Sequence, residues 1–308
     1  MTGPLAPVVV FAYNRPIHLQ RTLDALAACR LAAQTDVHVF ADGPKKPAAA
    51  EAVAEVRSVL AQEAEAGRFA AFHVHASDVN LGLANSIIGG VRQVLATCDR
   101  VIVLEDDLLV SADFLEFMND CLEFYKDDAS VGAVTGFCPL GTLPSGYSED
   151  VFVVYRNSSQ GWGTWSRIWR DVDWSASGIA RLDRDWALRR AFNQDGNDRY
   201  DRLRRQLSGR IDSWSIRFGL SLFLRGLATV YPVVNRIANI GYDGSGIHSG
   251  IGTPKNEQIA EASYALRSVR PDPRIQHAFH KTYSGRAGGR VMRDVLAWWP
   301  RLAGWLGR

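Results

Sequence analysis

The sequence has little of what marks several classes of protein. Its 308 residues include only four cysteines, Cys29, Cys98, Cys121 and Cys138, which show no Cys-x-x-Cys pair or Cys/His metal spacing. The formal net charge is +2, which does not favour a nucleic-acid-binding protein. No uninterrupted apolar run reaches the ~18 residues that a membrane-spanning helix needs. We expect a protein of a reducing, cytoplasmic compartment with no nucleic-acid partner.

Two motifs are also missing near the N-terminus. The first residues, MTGPLAPVVVFAYNRP, have no basic segment of the kind that opens a signal peptide. No Gly-x-Gly-x-x-Gly follows an early strand, which disfavours a dinucleotide-dependent dehydrogenase. The turn AYNRPIHL also lacks the Gly-rich phosphate loop with which sugar nucleotidyltransferases usually begin. The composition, 47% hydrophobic and 22% charged, is ordinary for a globular protein with a proper core.

The first hundred residues alternate short β-branched runs with longer amphipathic segments, a pattern typical of parallel sheets with covering helices. The predicted strands are 7–12, 36–41, 69–76 and 100–104, and the predicted helices are 17–30, 48–66 and 83–98. We therefore expect an α/β fold with a Rossmann-like, mostly parallel sheet flanked by helices. Ligands of such sheets bind beyond the carboxyl ends of the strands. The polar residues at these ends are Asn14, Arg15, Asp42, Asn80, Glu105, Asp106 and Asp107.

The second half is less regular and predicts a mixed region. Its predicted helices are 112–126, a charged region at 185–207, and 211–225, and its predicted strands are 131–137, 151–155 and 228–233. A Gly-rich loop follows at 241–254. We expect one domain over 1–255, with a nucleotide-binding half at about 1–110 and an acceptor half at about 111–255, and a C-terminal appendix at 256–308.

The last part of this appendix combines arginine with tryptophan. Arg and Trp on an amphipathic segment suit an anionic membrane surface, which predicts a peripheral contact with the inner membrane. A terminal helix docked on the domain through its tryptophans is an equal alternative. The residues concerned are Arg286, Arg290, Arg293, Arg301, Arg308, Trp298, Trp299 and Trp305.

The strongest chemical signal is VIVLEDDLLVSADF, residues 101–114, in which a buried apolar strand ends in three consecutive carboxylates. Three adjacent acids repel one another unless a positive charge compensates them. A hard divalent cation, Mn²⁺ or Mg²⁺, would supply that charge and takes oxygen ligands. A solvated acidic turn is the alternative.

These motifs together resemble those of GT-A glycosyltransferases. The shared features are a first strand that ends in an Asn-Arg-Pro turn, a second that ends in Ala-Asp-Gly, an Asn-x-Gly element before the third helix, and the Glu-Asp-Asp strand end. The Asn-Leu-Gly element is similar to that of family 2 sugar transferases. Glu-Asp-Asp followed by Val-Ser-Ala-Asp-Phe is more similar to N-acetylglucosaminyltransferase I and its relatives. The resemblance covers roughly residues 7–255 and leaves the appendix unexplained.

The resemblance implies a role for each matching residue at the donor end. Asp107 would be the direct metal ligand, Asp106 would lie near the donor's ribose or sugar, and Glu105 would contact sugar hydroxyls. Arg15 would contact the nucleotide or its phosphates. Asp42 would bind the uracil or ribose, although Asp before Gly43-Pro44 is equally a turn residue. Asn80 and Asn85 would line the base pocket.

Asp212, in RIDSWSIRF, is the candidate general base, since an inverting transfer needs a carboxylate to take the proton of the acceptor hydroxyl. A helix N-cap is the alternative role for this aspartate. Trp214 would pack on a sugar ring, and His248 in the Gly-rich loop would contact the donor diphosphate or the metal. Trp162 and Trp165 would form the floor of the acceptor site, with core packing as the alternative.

The sequence therefore predicts an inverting, metal-dependent glycosyltransferase. Its donor would be a nucleotide-diphosphate sugar, with UDP as the expected nucleotide and a hexose or N-acetylhexosamine as the expected sugar. Its acceptor would be a hydroxyl of a glycan or lipid-linked glycan in surface polysaccharide synthesis, by analogy alone. A sugar nucleotidyltransferase and a non-catalytic sugar- or nucleotide-binding partner protein remain open as alternatives.

Overall fold

A computed structural model of the chain describes residues 4–244 and 258–284. In the first half, strands and helices alternate as the sequence predicts. The strands are β1 (Val8–Ala12), β2 (Asp36–Ala41), β3 (Ala71–Ala76) and β4 (Arg100–Glu105), and the helices are α1 (Pro16–Ala27), α2 (Ala50–Ala66) and α3 (Leu83–Val94). These four strands run parallel in the order β3-β2-β1-β4, so their carboxyl ends meet at one edge of the sheet.

Burial of these strands decreases from the middle of the sheet toward its edge. β1 lies between β2 and β4, and all five of its residues are buried. A parallel strand that is covered on both faces reads as a continuous apolar run, and VVVFA is such a run. β2 alternates, with Val37 and Val39 buried and His38 and Phe40 half-buried. β3, the edge strand, is the most exposed of the four.

The second half completes a mixed sheet. Its strands are β5 (Leu108–Val110), β6 (Val131–Thr135), β7 (Val151–Val154), β8 (Trp162–Trp165), β9 (Ala228–Pro232) and β10 (Ile237–Asn239). The large sheet continues from β4 in the order β8-β6-β9-β7; β6 and β9 are parallel, and the other neighbours are antiparallel. β5 and β10 form a separate antiparallel pair. The predicted α/β fold, a large mostly parallel sheet flanked by helices with a mixed second half, is confirmed.

The helices of the second half are more numerous than predicted. They are α4 (Phe114–Phe124), α5 (Ser166–Trp169), α6 (Ile179–Arg184), α7 (Trp186–Phe192), α8 (Arg199–Leu207), α9 (Trp214–Leu224) and α10 (Pro273–Tyr283). The charged region predicted as one helix over 185–207 is two helices, because the chain turns between them. There Arg199 inserts a buried guanidinium that donates to the carbonyl oxygens of Phe192 and Tyr155, at 2.8 and 2.9 Å.

The described part of the C-terminal appendix docks on the domain. α10 buries Ile275 and Phe279, and the ring of Phe279 meets Phe152 of β7 and Tyr231 of β9 edge-on. The Arg- and Trp-rich segment predicted to contact a membrane lies outside the described residues. Across 4–244 and 258–284, no helix is both long enough and apolar enough to cross a bilayer.

Two adjacent glycines of α3 differ in their surroundings. A Cβ on Gly90 would lie 2.8 Å from the ring of Phe11 in β1 and 3.0 Å from that of Phe40 in β2, whereas a Cβ on Gly89 would meet nothing within 4 Å. Gly90 therefore allows α3 to approach the sheet at the point where the two phenylalanine rings stack, 5.5 Å apart. Gly89 has no such packing role.

This difference predicts opposite effects of the same substitution. Gly90→Ala should destabilise the protein by about 1–3 kcal/mol, because the added methyl overpacks the interface between helix and sheet. Gly89→Ala should stabilise it by roughly 0.5–1 kcal/mol through helix propensity alone. Urea unfolding of both variants measures these changes. A Gly90→Ala protein as stable as Gly89→Ala would mean that α3 does not pack as closely as the structure shows.

Three histidines stack on one face of β2 and β3. The ring of His38 lies 4.5 Å from that of His73 and 5.4 Å from that of His75, and its Nδ1 is 3.1 Å from Nε2 of His75. Burial, together with the neighbouring His73 and His75, lowers the pKa of His38 to about 4, while Asp36 opposes the shift. Burial and His73 also lower the pKa of His75. The stack therefore favours the neutral form of His38 and His75.

The lowered pKa of His38 makes stability depend on pH in a defined direction. The folded pKa is about 4, below the unfolded value of about 6.5. Between these values the unfolded chain binds a proton that the folded protein does not, so stability falls as the pH falls from 7 to 5. The melting temperature of His38→Gln should fall less over this pH range than that of the wild type. His277→Gln, on the exposed face of α10, should keep the wild-type slope; equal slopes in all three proteins would contradict the assignment.

Candidate active site

The acidic strand end is held by the backbone of its neighbours. β4 ends at Glu105, and Asp106 and Asp107 lie in the turn that leads to β5. The hydroxyl of Thr22 in α1 donates to the carbonyl oxygen of Asp106 at 2.9 Å. The amide of Ile240 donates to the carbonyl oxygen of Asp107, also at 2.9 Å. Both aspartates are consequently fixed in buried positions.

Arg15 is the cation that compensates these carboxylates. It directly precedes Pro16, the first residue of α1, so the turn after β1 directs it toward the end of β4. Its guanidinium donates to Oδ2 of Asp107 at 3.0 Å and pairs with Oδ1 of Asp106. Burial opposes the charge of Arg15, but the two aspartates raise its pKa above the ordinary value. In the structure Arg15 therefore forms ion pairs with the two aspartates, where the sequence predicts a contact with phosphate.

One guanidinium does not neutralise three acids. Burial, together with repulsion from Asp107 and Asp106, raises the pKa of Glu105 to about 8, against the opposing attraction of Arg15. Burial likewise raises the pKa of Asp106 to about 6, against the opposing attraction of Arg15. The burial of these acids therefore disfavours their charged forms, and a further cation at the strand end would stabilise those forms.

The donor set at Asp107 fits a divalent metal that is shared with a substrate. Among the residues that the structure describes, buried Oδ1 of Asp107 has no hydrogen-bond partner, so this oxygen is available as a ligand. Within residues 4–244 and 258–284, no group of three or more His, Cys, Asp or Glu side chains is arranged to hold a metal. A metal at this position would take its remaining ligands from phosphate oxygens and water, which is the usual way in which Mg²⁺ binds together with nucleotides.

Asp42 braces the loop before α3. Its Oδ1 accepts from the amides of Gly43 and Leu81 at 3.0 and 2.7 Å, and its Oδ2 accepts from the amide of Gly82 at 3.0 Å. The turn role predicted as the alternative is therefore real, and it extends across two loops. Asp42 also lines the cavity described below, where Oδ2 has room for one further donor.

The three predicted asparagines separate in the structure. Asn14 and Asn80 both line the cavity, and the amide of Asn80 donates to the carbonyl oxygen of Gly43 at 2.8 Å. Asn85 is exposed on α3, donates to the carbonyl oxygen of Leu81, and is not among the lining residues. Ser86, one residue further along the helix, lines the cavity in its place.

Asp212 is not the N-cap of α9. That position belongs to Ser213, whose side chain accepts from the amide of Ile216. The carboxylate of Asp212 is exposed and points instead to the start of α3, where Oδ2 lies 3.4 Å from the amide nitrogen of Ala84. Since the capping role is taken by its neighbour, Asp212 keeps most of its hydrogen-bonding capacity for a ligand.

One open cavity of about 710 Å³ collects these groups at the carboxyl ends of β1, β2 and β4. It includes the acidic strand end, Asp42 and Asp212, which come from three distant parts of the sequence. The lining residues are Phe11, Ala12, Tyr13, Asn14, Arg15, Phe40, Asp42, Lys45, Asn80, Gly82, Leu83, Ser86, Glu105, Asp106, Asp107, Arg205, Gly209, Arg210, Ile211 and Asp212.

Of the two roles that the sequence left open for Trp162 and Trp165, the structure shows core packing, and Trp214 is also in the core. Trp162, Trp165 and Trp214 are 1%, 3% and 2% exposed, so no ring face is open to a sugar. Trp162 stacks between Trp214 and Trp169, with ring centroids 4.6 and 5.5 Å away, in the core. The expected acceptor floor and the expected sugar contact of Trp214 are therefore corrected to core packing. His248 lies outside the described residues.

The cavity also contains residues that sequence reasoning missed. Tyr13 and Lys45 flank its donor side, and Arg205 and Arg210 line it beside Asp212. Tyr13 stands next to the Asn-Arg-Pro turn, which was a usable signal. The two arginines lie at the end of a highly charged helix, where the default interpretation is a solvated face.

Gly241 allows the chain to fold back over Asp107. Its amide donates to the side-chain oxygen of Asn239 at 2.8 Å, and a Cβ at this position would collide with Oδ2 of Asp107 and approach Arg15 to 2.9 Å. Burial and the charge of Asp107 raise the pKa of the next residue, Tyr242. The first turn of the Gly-rich loop thus begins directly on the acidic strand end.

Comparison with known proteins finds little. No family model matches the chain, and no curated protein matches it. Among solved structures, S. aureus TarS (residues 1–349) is similar at 13% identity over 76% of this chain, with a TM-score of 0.41. A second S. aureus TarS structure is similar at 13% identity over 55% of the chain, with a TM-score of 0.37. The chain spans 60% of the length of the first and 30% of the second. A likeness of this size identifies neither family nor activity.

The three amide contacts of Asp42 predict a structural cost for its replacement. Asp42→Asn keeps the volume but turns an NH₂ group toward a backbone N–H, so the free energy of unfolding should fall by about 1–3 kcal/mol. Asp78→Asn, in the loop after β3 that Asp42 braces but with a fully exposed side chain, should leave stability unchanged within error. Urea unfolding measures both. Equal stability of the two variants would show that Asp42 does not brace the loop.

Proposed function

We propose that the protein is an inverting, metal-dependent glycosyltransferase that uses a nucleotide-diphosphate sugar, with UDP as the preferred nucleotide. One observation carries the proposal: Asp107, with a free buried oxygen, and Asp212, with a largely unoccupied carboxylate, line the same open cavity at the carboxyl ends of parallel strands. A cation site and a general base on one cavity are the two groups that a single displacement at an anomeric carbon requires.

The donor end lies at the loops after β1, β2 and β4. A nucleotide in the crevice beyond these strands would meet Asp42 and Asn80 on one side and the acidic strand end on the other. Arg15 and Lys45 are the cations of this end; Arg15 pairs with Asp106 and Asp107, and Lys45 would balance phosphate charge. A divalent metal held by Asp107, when bound, would stabilise negative charge on the diphosphate leaving group.

Asp212 would serve as the base that receives the acceptor proton. The acceptor hydroxyl attacks the anomeric carbon, its O–H proton passes to the Asp212 carboxylate, and a new C–O bond forms. The bond from the anomeric carbon to the diphosphate oxygen breaks, and its electron pair leaves with the nucleoside diphosphate. Because attack and departure take place on opposite faces, the configuration inverts. The free capacity of Asp212 beyond its single 3.4 Å contact supports this role.

The acceptor is proposed from the resemblance rather than from the cavity. GT-A enzymes of the resembling families transfer a hexose or an N-acetylhexosamine to glycan hydroxyls. We therefore extend the proposal to a glycan or lipid-linked glycan of a surface polysaccharide. A contact with the inner membrane would involve residues 285–308.

The proposal predicts a metal-dependent ligand effect with two separable parts. A panel of nucleotide sugars is tested with and without Mn²⁺, and one UDP-sugar should raise the melting temperature of the wild type. At a concentration 100 times its dissociation constant, such a ligand stabilises the folded protein by about 2.7 kcal/mol. Asp107→Asn should lose the metal-dependent part of the shift. Asp212→Asn should keep the shift but lower UDP release by about 10²–10⁴-fold, because only the proton acceptor is removed.

Asp171→Asn, an exposed carboxylate outside the cavity, is the matched control and should behave as the wild type in both assays. If no nucleotide sugar gives a metal-dependent shift, the proposed donor site is wrong. If the shift occurs but no tested acceptor leads to UDP release in the wild type, the chain is better described as a nucleotide-sugar-binding partner protein.

A further inference from the structure

We propose that the acceptor carries an anionic group, a phosphate or a carboxylate, and that Arg205 and Arg210 bind this group beside Asp212. The inference rests on the proposed function, since it names the substrate class of the same cavity. Both arginines line that cavity, as does the candidate base Asp212. The proposed donor site uses neither Arg205 nor Arg210.

The end of α8 sets the positions of the two arginines. After Leu207 the chain turns through Gly209, which has a φ of +70°. The amide of Gly209 donates to the carbonyl oxygen of Gln206 at 3.1 Å, and the amide of Arg210 donates to that of Arg205 at 2.9 Å. This pair of bonds is the Schellman pattern of a helix end. It closes the turn, so that two residues five positions apart become neighbours.

The same turn positions the candidate base. The side-chain oxygen of Gln206 accepts from the amide of Ser213, the residue that caps α9. This bond ties the end of α8 to the start of α9, with Asp212 between them. An anion bound by the arginines would therefore place the rest of its molecule next to the Asp212 carboxylate.

Both guanidinium groups are available. Arg205 and Arg210 are exposed, and within residues 4–244 and 258–284 neither side chain makes a hydrogen bond or an ion pair. Their neighbours on α8 differ, since Arg202 pairs with Asp198 at 3.9 Å and Arg204 pairs with Asp183 at 3.4 Å. Two arginines that line one cavity, with backbones joined by a hydrogen bond and no side-chain partner among the described residues, favour a phosphate or carboxylate ligand.

The charge of the surrounding segment supports an anion on the acceptor side. Residues 179–225 contain eleven arginines and six aspartates, in a chain whose net charge is only +2. The excess of arginine over aspartate in this segment favours anions near it. The cations near the acidic strand end, Arg15 and Lys45, come instead from the loops after β1 and β2. The donor diphosphate thus has its own partners, which leaves Arg205 and Arg210 for the second substrate.

The test compares three probes that share the glucose ring and differ in charge. Glucose 6-phosphate, glucuronic acid and glucose are titrated by ligand-observed NMR into the full chain with and without UDP and Mn²⁺. UDP affinity is measured separately by calorimetry. The variants are Arg205→Gln/Arg210→Gln and a charge-matched control, Arg181→Gln/Arg184→Gln, which removes two exposed arginines of α6 that do not line the cavity.

We expect the wild type and the control to bind at least one charged probe about tenfold more tightly than glucose. One charge-assisted hydrogen bond contributes an affinity difference of about this size. The Arg205→Gln/Arg210→Gln protein should lose this preference while its UDP affinity stays within about twofold of the wild type. Preference for glucose 6-phosphate alone would identify the group as a phosphate, and equal preference for glucuronic acid would identify a general anion site.

Three results would overturn the inference: no charge preference in the wild type, an equal loss in the control variant, or a UDP affinity that falls with the Arg205→Gln/Arg210→Gln change. The last result would assign the arginines to the donor. Failure of the proposed function is a distinct outcome, because it shows as absent UDP binding in the wild type whatever the charged probes do.

Discussion

The ion pairs between Arg15 and the two aspartates after β4 are the interaction on which the rest of the site depends. Three carboxylates at the end of a buried strand would repel one another and favour an open, solvated turn. The guanidinium permits them to stay buried. It reaches them because β1 and β4 are adjacent parallel strands, with Phe11 opposite Glu105, so the loop after β1 faces the end of β4. The sheet therefore brings the cation to the acids.

This compensation is incomplete, and the incompleteness has chemical consequences. Burial and mutual repulsion raise the pKa values of Glu105 and Asp106, and among the described residues Oδ1 of Asp107 has no hydrogen-bond donor, so the buried carboxylates are incompletely stabilised. A structural ion-pair network would leave fewer acceptors unused. Strand ends of this kind are costly for stability, and such costs are concentrated at functional sites.

Two aspartates near the start of α3 illustrate how the backbone decides which carboxylate is free. Asp42 accepts from three amides and serves mainly to join the loops after β2 and β3. Asp212 has one long contact with the same helix start, because Ser213 takes over the capping of α9. Equal side chains at one cavity thus have unequal capacity for a ligand, and the difference follows from their hydrogen bonds.

The tryptophan-rich segment shows where reasoning from the sequence fails. Four residues of β8 read as a candidate sugar-binding surface, because aromatic rings and short strands carry no signal of burial by themselves. Pairing with both β4 and β6 places Trp162 and Trp165 inside the molecule. The strands β5 and β10 were missed for the same reason, since each has three residues and exists only through its partner.

The sequence by itself determined the alternation of strands and helices in the first hundred residues, because hydrophobic periodicity is local. It also determined the acidic strand end and the polar residues at the neighbouring strand ends, because parallel strands must present these ends together. Only the tertiary structure decided that Asp212 contacts the start of α3 rather than capping α9, that the tryptophans are core, and that Arg205 and Arg210 line the cavity. Each of these depends on contacts between residues far apart in the chain, which no local pattern encodes.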